Sequence, residues 1–310
     1  MSRLLLSCGL YFLLILSVNA FQDNNNQYDV SYRDYLGLHV VKGQKTPKGT
    51  FLFNANAEKK LTLATLNWQP YIGESICKQG WVMQLTVALL HSIGYSAEVT
   101  FYPWARAVNM VESGKADILF PEYFIEPEAP SDVFAGTRRL DHLMLSDVFG
   151  WGPIAFIKRR DFDMSHYTDL KSLVNEHIGV VRGYQNTPEF DRLMDTGSFK
   201  TVKATNDMQN LDLLLNNRVN LIIGDPEVIK ADIINSDHTP EDKKAMLEKI
   251  KMVDPIIHMN GLFYAVSKQS EYKNELIVEL NQAINTFKSQ GVIDEIKYQT
   301  KQACNSELSE

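Results

Sequence analysis

The sequence predicts an α/β protein built as two lobes with a hinged interdomain cleft. Three observations predict it. Strand-like and helix-like segments alternate from Leu61 to Phe120. They alternate again from Pro153 to Glu227. The chain then closes on one strand and a long amphipathic helix, too little for a third domain. Alternation of this kind builds parallel sheets with helices on their faces. The closing elements must complete a unit already begun, so the chain crosses to a second lobe and returns. Crevices at the carboxyl ends of parallel strands and between domains are preferred small-ligand sites.

Phe21–Lys60 is the least patterned stretch. Val40-Val41 and Phe51-Leu52-Phe53, separated by Gly43, Pro47 and Gly49, are consistent with a hairpin or with a poorly ordered extension. Leu61–Leu66 reads as a strand. Trp81–Ile93 places Trp81, Leu85, Ala88, Leu89 and Ser92 on one helical stripe, ended by Gly94. Glu98–Tyr102 is a strand, and Pro103 stands where the helix Trp104–Glu112 would begin, closed by Gly114. Ala116–Phe120 completes the first unit. In the second, Pro153–Ile157, Ile178–Val181, Phe199–Lys203 and Val219–Ile223 read as strands. Leu170–Asn175, a segment opened by Thr187-Pro188-Glu189, Asp207–Leu215 and a segment opened by Asp225-Pro226-Glu227 read as helices. Thr187 is a capping residue with proline at the first helical position. Leu262–Val266 is the last strand, Glu271–Ser289 the long helix, and Val292–Tyr298 a final helical piece after Gly291.

The 310 residues are 45% hydrophobic and 22% charged, which excludes wholesale disorder, collagen and coiled coil. A formal charge of −7 without a basic block argues against a nucleic-acid partner, whose phosphates demand Lys and Arg. Met1–Ala20 has Arg3, an apolar run from Leu4 to Val18, and Ala20 at its end. This reads as a cleaved secretory signal, too short for a bilayer-spanning helix. The expectation is a periplasmic, monomeric protein. Cys8 would leave with the signal. Cys77 and Cys304 remain, and in an oxidising compartment they pair or stay two independent thiols; their Cα separation decides which.

Nothing in the chain calls for catalysis or a cofactor. It lacks a G-x-S-x-G elbow, an H-E-x-x-H pair, a Walker A sequence and a G-x-G-x-x-G loop. Its seven histidines are scattered, none at helical metal-ligand spacing.

Several segments carry a resemblance in order. They are Leu61-Thr62-Leu63-Ala64 with Trp68-Gln69-Pro70-Tyr71, then Phe101-Tyr102-Pro103-Trp104-Ala105-Arg106-Ala107. Gly114-Lys115-Ala116-Asp117, Arg139 seven residues before Ser146, Gly183, Val219 to Asp225 and Lys288-Ser289-Gln290-Gly291-Val292-Ile293 follow. Together they resemble the family 3 extracellular solute-binding proteins, which serve bacterial ABC importers of polar amino acids. The resemblance covers most of Leu61–Gln302. It implies the two-lobed periplasmic-binding-protein-like fold, with lobe 1 at 61–151 plus 256–310 and lobe 2 at 152–255. Residues 1–20 are then the signal and 21–60 an N-terminal extension.

The resemblance also implies site residues. Arg139 would hold a ligand carboxylate, for which a guanidinium fork is suited. The sequence departs from the pattern here, because Pro127–Gly136 looks inserted and Val148 stands where a proline is usual. Asp225 would take the ligand ammonium, five residues after Asn220, which replaces the usual Asp. Asp225 also suits a helix N-cap before Pro226. Trp68, Tyr71, Trp104 and Tyr123 follow or end lobe 1 strands and would supply aromatic walls, Trp104 and Tyr71 foremost. Arg106 lies at a helix start, where a cation opposes the dipole and so points to an anionic partner. Gly183-Tyr184 precedes the Thr187 cap, where free N–H groups suit an anion. The expected partners are a small polar solute and an ABC importer permease. Two alternatives stay open: a ligand-sensing input for a membrane receptor, and a dehydratase-like enzyme with Glu74 or Glu122 as its acid.

Overall fold

The computed structural model describes residues 28–131, 133–164 and 167–307. The expected signal at Met1–Ala20 lies outside them. The architecture is α/β, and the alternation seen in the sequence becomes two three-stranded parallel cores. In lobe 1, β5 (Lys59–Thr65) lies between β6 (Tyr95–Phe101) and β7 (Ile118–Glu122), parallel to both. In lobe 2, β10 (His177–Val181) lies between β11 (Lys200–Ala204) and β12 (Leu221–Gly224), again parallel. Strands buried on both faces read as unbroken apolar runs, as Ile118–Phe120 and Leu221–Ile223 do.

Two long antiparallel strands join the cores. β9 (Gly150–Arg159) and β13 (Ile250–Ser267) pair along their length, with a break between Val253 and His258. β9 carries β12 on its other side, while the end of β13 pairs with β7 and with the short β8 (Leu143–Leu145). With β4 (Phe51–Phe53) and β3 (Gly43–Lys45) beyond β6, these strands form one path, β11-β10-β12-β9-β13-β7-β5-β6-β4-β3, running through both lobes, with β8 beside β13 off the path. The sequence shows only Leu262–Val266 of β13. Lys251, Asp254, Pro255, His258 and Asn260 interrupt its apolar pattern because the middle of the strand spans between lobes and packs under neither core.

The described residues before Lys60 pack on the first parallel core. β1 (Val30–Asp34) and β2 (Gly37–Val41) form one hairpin. β3 (Gly43–Lys45) and β4 (Phe51–Phe53) form a second, whose β4 adds to the edge of β6. Val40-Val41 therefore pairs with β1, and the partner of Phe51–Phe53 is Gly43–Lys45. Gly43 sets this division, since the Tyr28 carbonyl and the Phe53 ring leave no room there for a Cβ. Phe51 and Phe53 are fully buried.

The helices follow the same logic. α1 (Trp81–Ser92) buries every residue from Val82 to Leu90, more than the single stripe expected, because β1, β2 and the last helix cover its outer side. α2 (Trp104–Glu112) buries Trp104, Ala107, Val108 and Val111. The short α3 (Arg139–His142) precedes β8. Leu170–Leu173 is a 3₁₀ turn, shorter than the helix expected. α4 (Pro188–Asp195), α5 (Asp207–Leu215) and α6 (Pro226–Asn235) start at their caps Thr187, Asn206 and Asp225. α7 (Pro240–Lys249) was hidden by its polarity, for it buries Met246 alone. α8 (Lys273–Ser289) and α9 (Val292–Glu307) return to lobe 1, α9 running beyond the expected Tyr298. There Cys304 is disulfide-bonded to Cys77, with a Cα separation of 5.6 Å. No described helix is long and apolar enough to cross a membrane.

Candidate ligand cleft

Each parallel strand ends at the same place, and the residues just past those ends meet there. β5 leads to Trp68 and Tyr71, β6 to Trp104, and β7 to Glu122 and Tyr123. From the other lobe, β10 leads to Gly183, Tyr184 and Gln185, β11 to Asp207, and β12 to Asp225. Trp68, Trp104, Tyr123, Tyr184, Glu122 and Gln185 line a small, partly open cavity between the lobes.

The walls are aromatic and ordered. Trp68 stacks on Tyr71 with centroids 4.4 Å apart and meets the Tyr123 ring edge-on at 5.6 Å. Trp104 meets Tyr184 edge-on at 6.0 Å.

Polar contacts bridge the lobes around this cavity. Tyr71 donates its hydroxyl to Asp225 Oδ2 at 2.8 Å. Trp104 donates Nε1 to the Gly183 carbonyl at 3.0 Å, and Arg139 donates Nη2 to the same carbonyl at 2.8 Å. Asn260 donates its side-chain amide to the Asn186 carbonyl. Asp225 also accepts from the Glu227 backbone N–H at 2.8 Å, so it caps α6 and faces the cleft at once. Gly152 on β9 makes this packing possible. A Cβ there would lie 3.0 Å from Asp225 Oδ2, 3.1 Å from the Tyr71 hydroxyl and 3.2 Å from the Tyr123 hydroxyl.

The site is rich in buried acid. Glu122 is 1% exposed, and burial pushes its carboxyl up to about 8, with Arg139 pulling it down and Glu112 pushing it up. Burial likewise lifts Asp207 and Asp225 to about 6, against the hydrogen bonds from Tyr184 and Tyr71. Tyr184 donates to Asp207 at 2.7 Å. Arg139, 1% exposed, has Nε 3.6 Å from Glu112 Oε1, itself fully buried.

The structure therefore brings Trp68, Tyr71, Trp104, Tyr123, Arg139, Gly183, Tyr184 and Asp225 together around one cleft. Arg106 stands apart, exposed, with its guanidinium 5.1 Å over the Tyr102 ring. Of the two acids named for catalysis, Glu74 is ion-paired with Lys45 at 2.8 Å away from the cavity, and Glu122 lines it. Sequence reasoning missed Glu112, Gly152, Gln185 and Asp207. Asp207 was within reach, since it follows a parallel strand as Asp225 does. Gly152 left no signal, because the side chains it admits lie far away in sequence.

Comparison with known proteins agrees on the fold. No family profile matches the chain, and no curated protein matches it by sequence. Solved structures do match. An arginine 3rd transport system periplasmic binding protein from Legionella pneumophila superposes with a TM-score of 0.61 at 17% identity, over 78% of this chain and all of that one. An amino acid ABC transporter substrate-binding protein from Streptococcus pneumoniae, bound to L-arginine, gives 0.59 at 16% identity over 80% and 96% of the two chains. A histidine kinase sensor domain with similarity to periplasmic binding proteins gives 0.60 at 16% identity over 79% and 96%. The chain has the two-lobed fold of periplasmic binding proteins, and amino-acid-binding proteins are among its structural neighbours.

Proposed function

We propose that this protein is a non-enzymatic periplasmic solute-binding protein that captures an amino acid in the interlobe cleft and delivers it to an ABC importer. The reading is supported above all by one observation: residues from the parallel-strand ends of both lobes converge on a single aromatic-walled cavity and bond across it. Lobes joined by two strands can open and close as units. A ligand held by both lobes favours the closed form by its differential affinity for it. Arg139 would turn from the Gly183 carbonyl to the ligand carboxylate, and Asp225 from Tyr71 to the ligand ammonium. The neighbours that bind arginine or belong to amino acid transporters support the solute class. The protein acts as a monomer, exported through a signal that is then removed.

The test is a thermal-shift screen of refolded, ligand-stripped protein against amino acids. A ligand at about 100 times its Kd adds roughly 2.7 kcal/mol of stability. The shift disappears in Arg139→Lys, which loses the bidentate fork, and in Asp225→Asn, which keeps the helix cap. A shift that persists in both variants overturns the zwitterion clamp. Conversion of the bound ligand to a product overturns the non-enzymatic reading.

A further inference from the structure

We propose that the cleft selects a ligand carrying an additional cation, an amine or a guanidinium, and that Glu122 is the residue that receives it. The inference rests on the amino-acid-binding reading above and assigns the ligand's class within it.

Three polar atoms at the cavity carry the argument. Glu122 Oε2, Gln185 Oε1 and the Tyr123 hydroxyl are buried and have no hydrogen-bond partner among the described residues. Glu122 and Gln185 thus offer acceptors, and all three residues line the cavity. Buried acceptors without donors cost about 1–3 kcal/mol each, more for a charged group. A ligand rich in N–H groups supplies what they lack. Trp68, Trp104, Tyr123 and Tyr184 surround the same space, and aromatic faces attract a desolvated cation.

The charge balance points the same way. Glu112, Glu122, Asp207 and Asp225 are all buried here, and Arg139 is the guanidinium among them. Lys158, also buried, gives its ammonium to the carbonyls of Arg159 and Phe162. Asp191 is tied to Asn186. An α-amino acid brings no net charge through its carboxylate and ammonium, so it leaves this acid surplus as it was. A cationic side chain gives one of these carboxyls a partner, Glu122 losing its proton as the ligand binds. Burial, with the Glu112 carboxylate adding to it, pushes the Glu122 carboxyl up to about 8. An adjacent ligand cation would ionise it and gain a charge-assisted hydrogen bond.

Calorimetric titration of the purified protein tests this with L-arginine, L-lysine, L-glutamine, L-glutamate and putrescine. The expected result is binding of L-arginine or L-lysine at least roughly 10-fold tighter than L-glutamine, the scale of one charge-assisted hydrogen bond. In Glu122→Gln, isosteric with the protonated acid, the preference falls roughly 10- to 100-fold while the melting temperature is kept or raised. That retained melting temperature separates lost recognition from lost folding. Binding of putrescine without amino acids, abolished in Glu122→Gln, supports the cation site and overturns the amino-acid reading. L-glutamine or L-glutamate binding as tightly as L-arginine overturns the cation site and leaves the amino-acid reading standing. An undiminished preference in Glu122→Gln overturns the role of Glu122. No binding of any of the five overturns both.

Discussion

Single side chains set the tolerance of the cleft. Gly152 touches the Tyr71–Asp225 bridge so closely that an added methyl must displace one of its partners. Gly152→Ala is expected to cost about 1–3 kcal/mol, the usual penalty for overpacking. A crystal structure of the variant should show the Tyr71–Asp225 bond lengthened, and an unchanged melting temperature would refute the steric argument. Arg139 poses the opposite problem. Its removal takes a guanidinium from beside Glu112, a carboxylate with no access to water. Arg139→Ala should lose about 3–5 kcal/mol, as broken buried pairs do. Adding Glu112→Gln to the same chain should recover much of that loss. If denaturant melts of the single and double variants coincide, the two side chains are not coupled.

Elements determine where those side chains stand. Two helix starts were marked in the sequence, at Thr187 and Asp225. Thr187, Asn206 and Asp225 each accept from a backbone N–H in the first turn, and each precedes its helix by one residue. Thr187→Ala should cost about 1 kcal/mol in a denaturant melt. An effect within error would mean that Pro188 and the packing of Phe190 hold α4 without the cap. The C-terminal element was less legible. α9 runs to Glu307, and its Cys304 is bonded to Cys77 in the turn before α1, 227 residues apart in sequence. Joint replacement of both cysteines by serine should lower stability by about 2–5 kcal/mol. It should also raise amide exchange first in the last turns of α9. Uniform exchange along α9 in both proteins would show that packing on α1 alone secures it.

Over the whole molecule, packing leaves several carboxyl groups out of the water that an open surface would give them. Burial lifts Asp191, Asp207 and Asp225 to about 6, Asp232 to about 7 and Glu122 to about 8. The corresponding unfolded values are near 4. The folded protein therefore binds more protons than the unfolded chain between these limits. Its stability is fullest below about pH 4 for these groups and declines as pH rises through 6 to 8. Asp34 and Asp141, whose carboxyls are lowered, act at the acid end, and His91, lowered by burial, opposes the fall only below its ordinary value near 6.5. The melting temperature should fall between pH 5 and pH 9, and Glu122→Gln should flatten the upper part of that fall. A flat or rising profile over this range would contradict the burial argument.

Local pattern determined much of this protein. Apolar runs marked the parallel strands, and Thr, Pro and Gly marked the helix ends, because these signals depend on neighbours within a few residues. The placement of candidate ligands after strand ends was legible too, since parallel strands gather their carboxyl ends on one edge. Tertiary structure alone decided the rest. Only the paired path of β9 and β13 through both lobes made the middle of β13 a strand despite its polar residues. Only the packing of the first hairpin and α9 on α1 buried that helix from Val82 to Leu90. Only the meeting of the two lobes placed Glu122, Gln185 and Tyr123 around one cavity and set Gly152 against Tyr71 and Asp225. The physical reason is common to all of these. Burial, and with it the cost of an unpaired acid or an added methyl, belongs to contacts between distant segments, which no local spacing encodes.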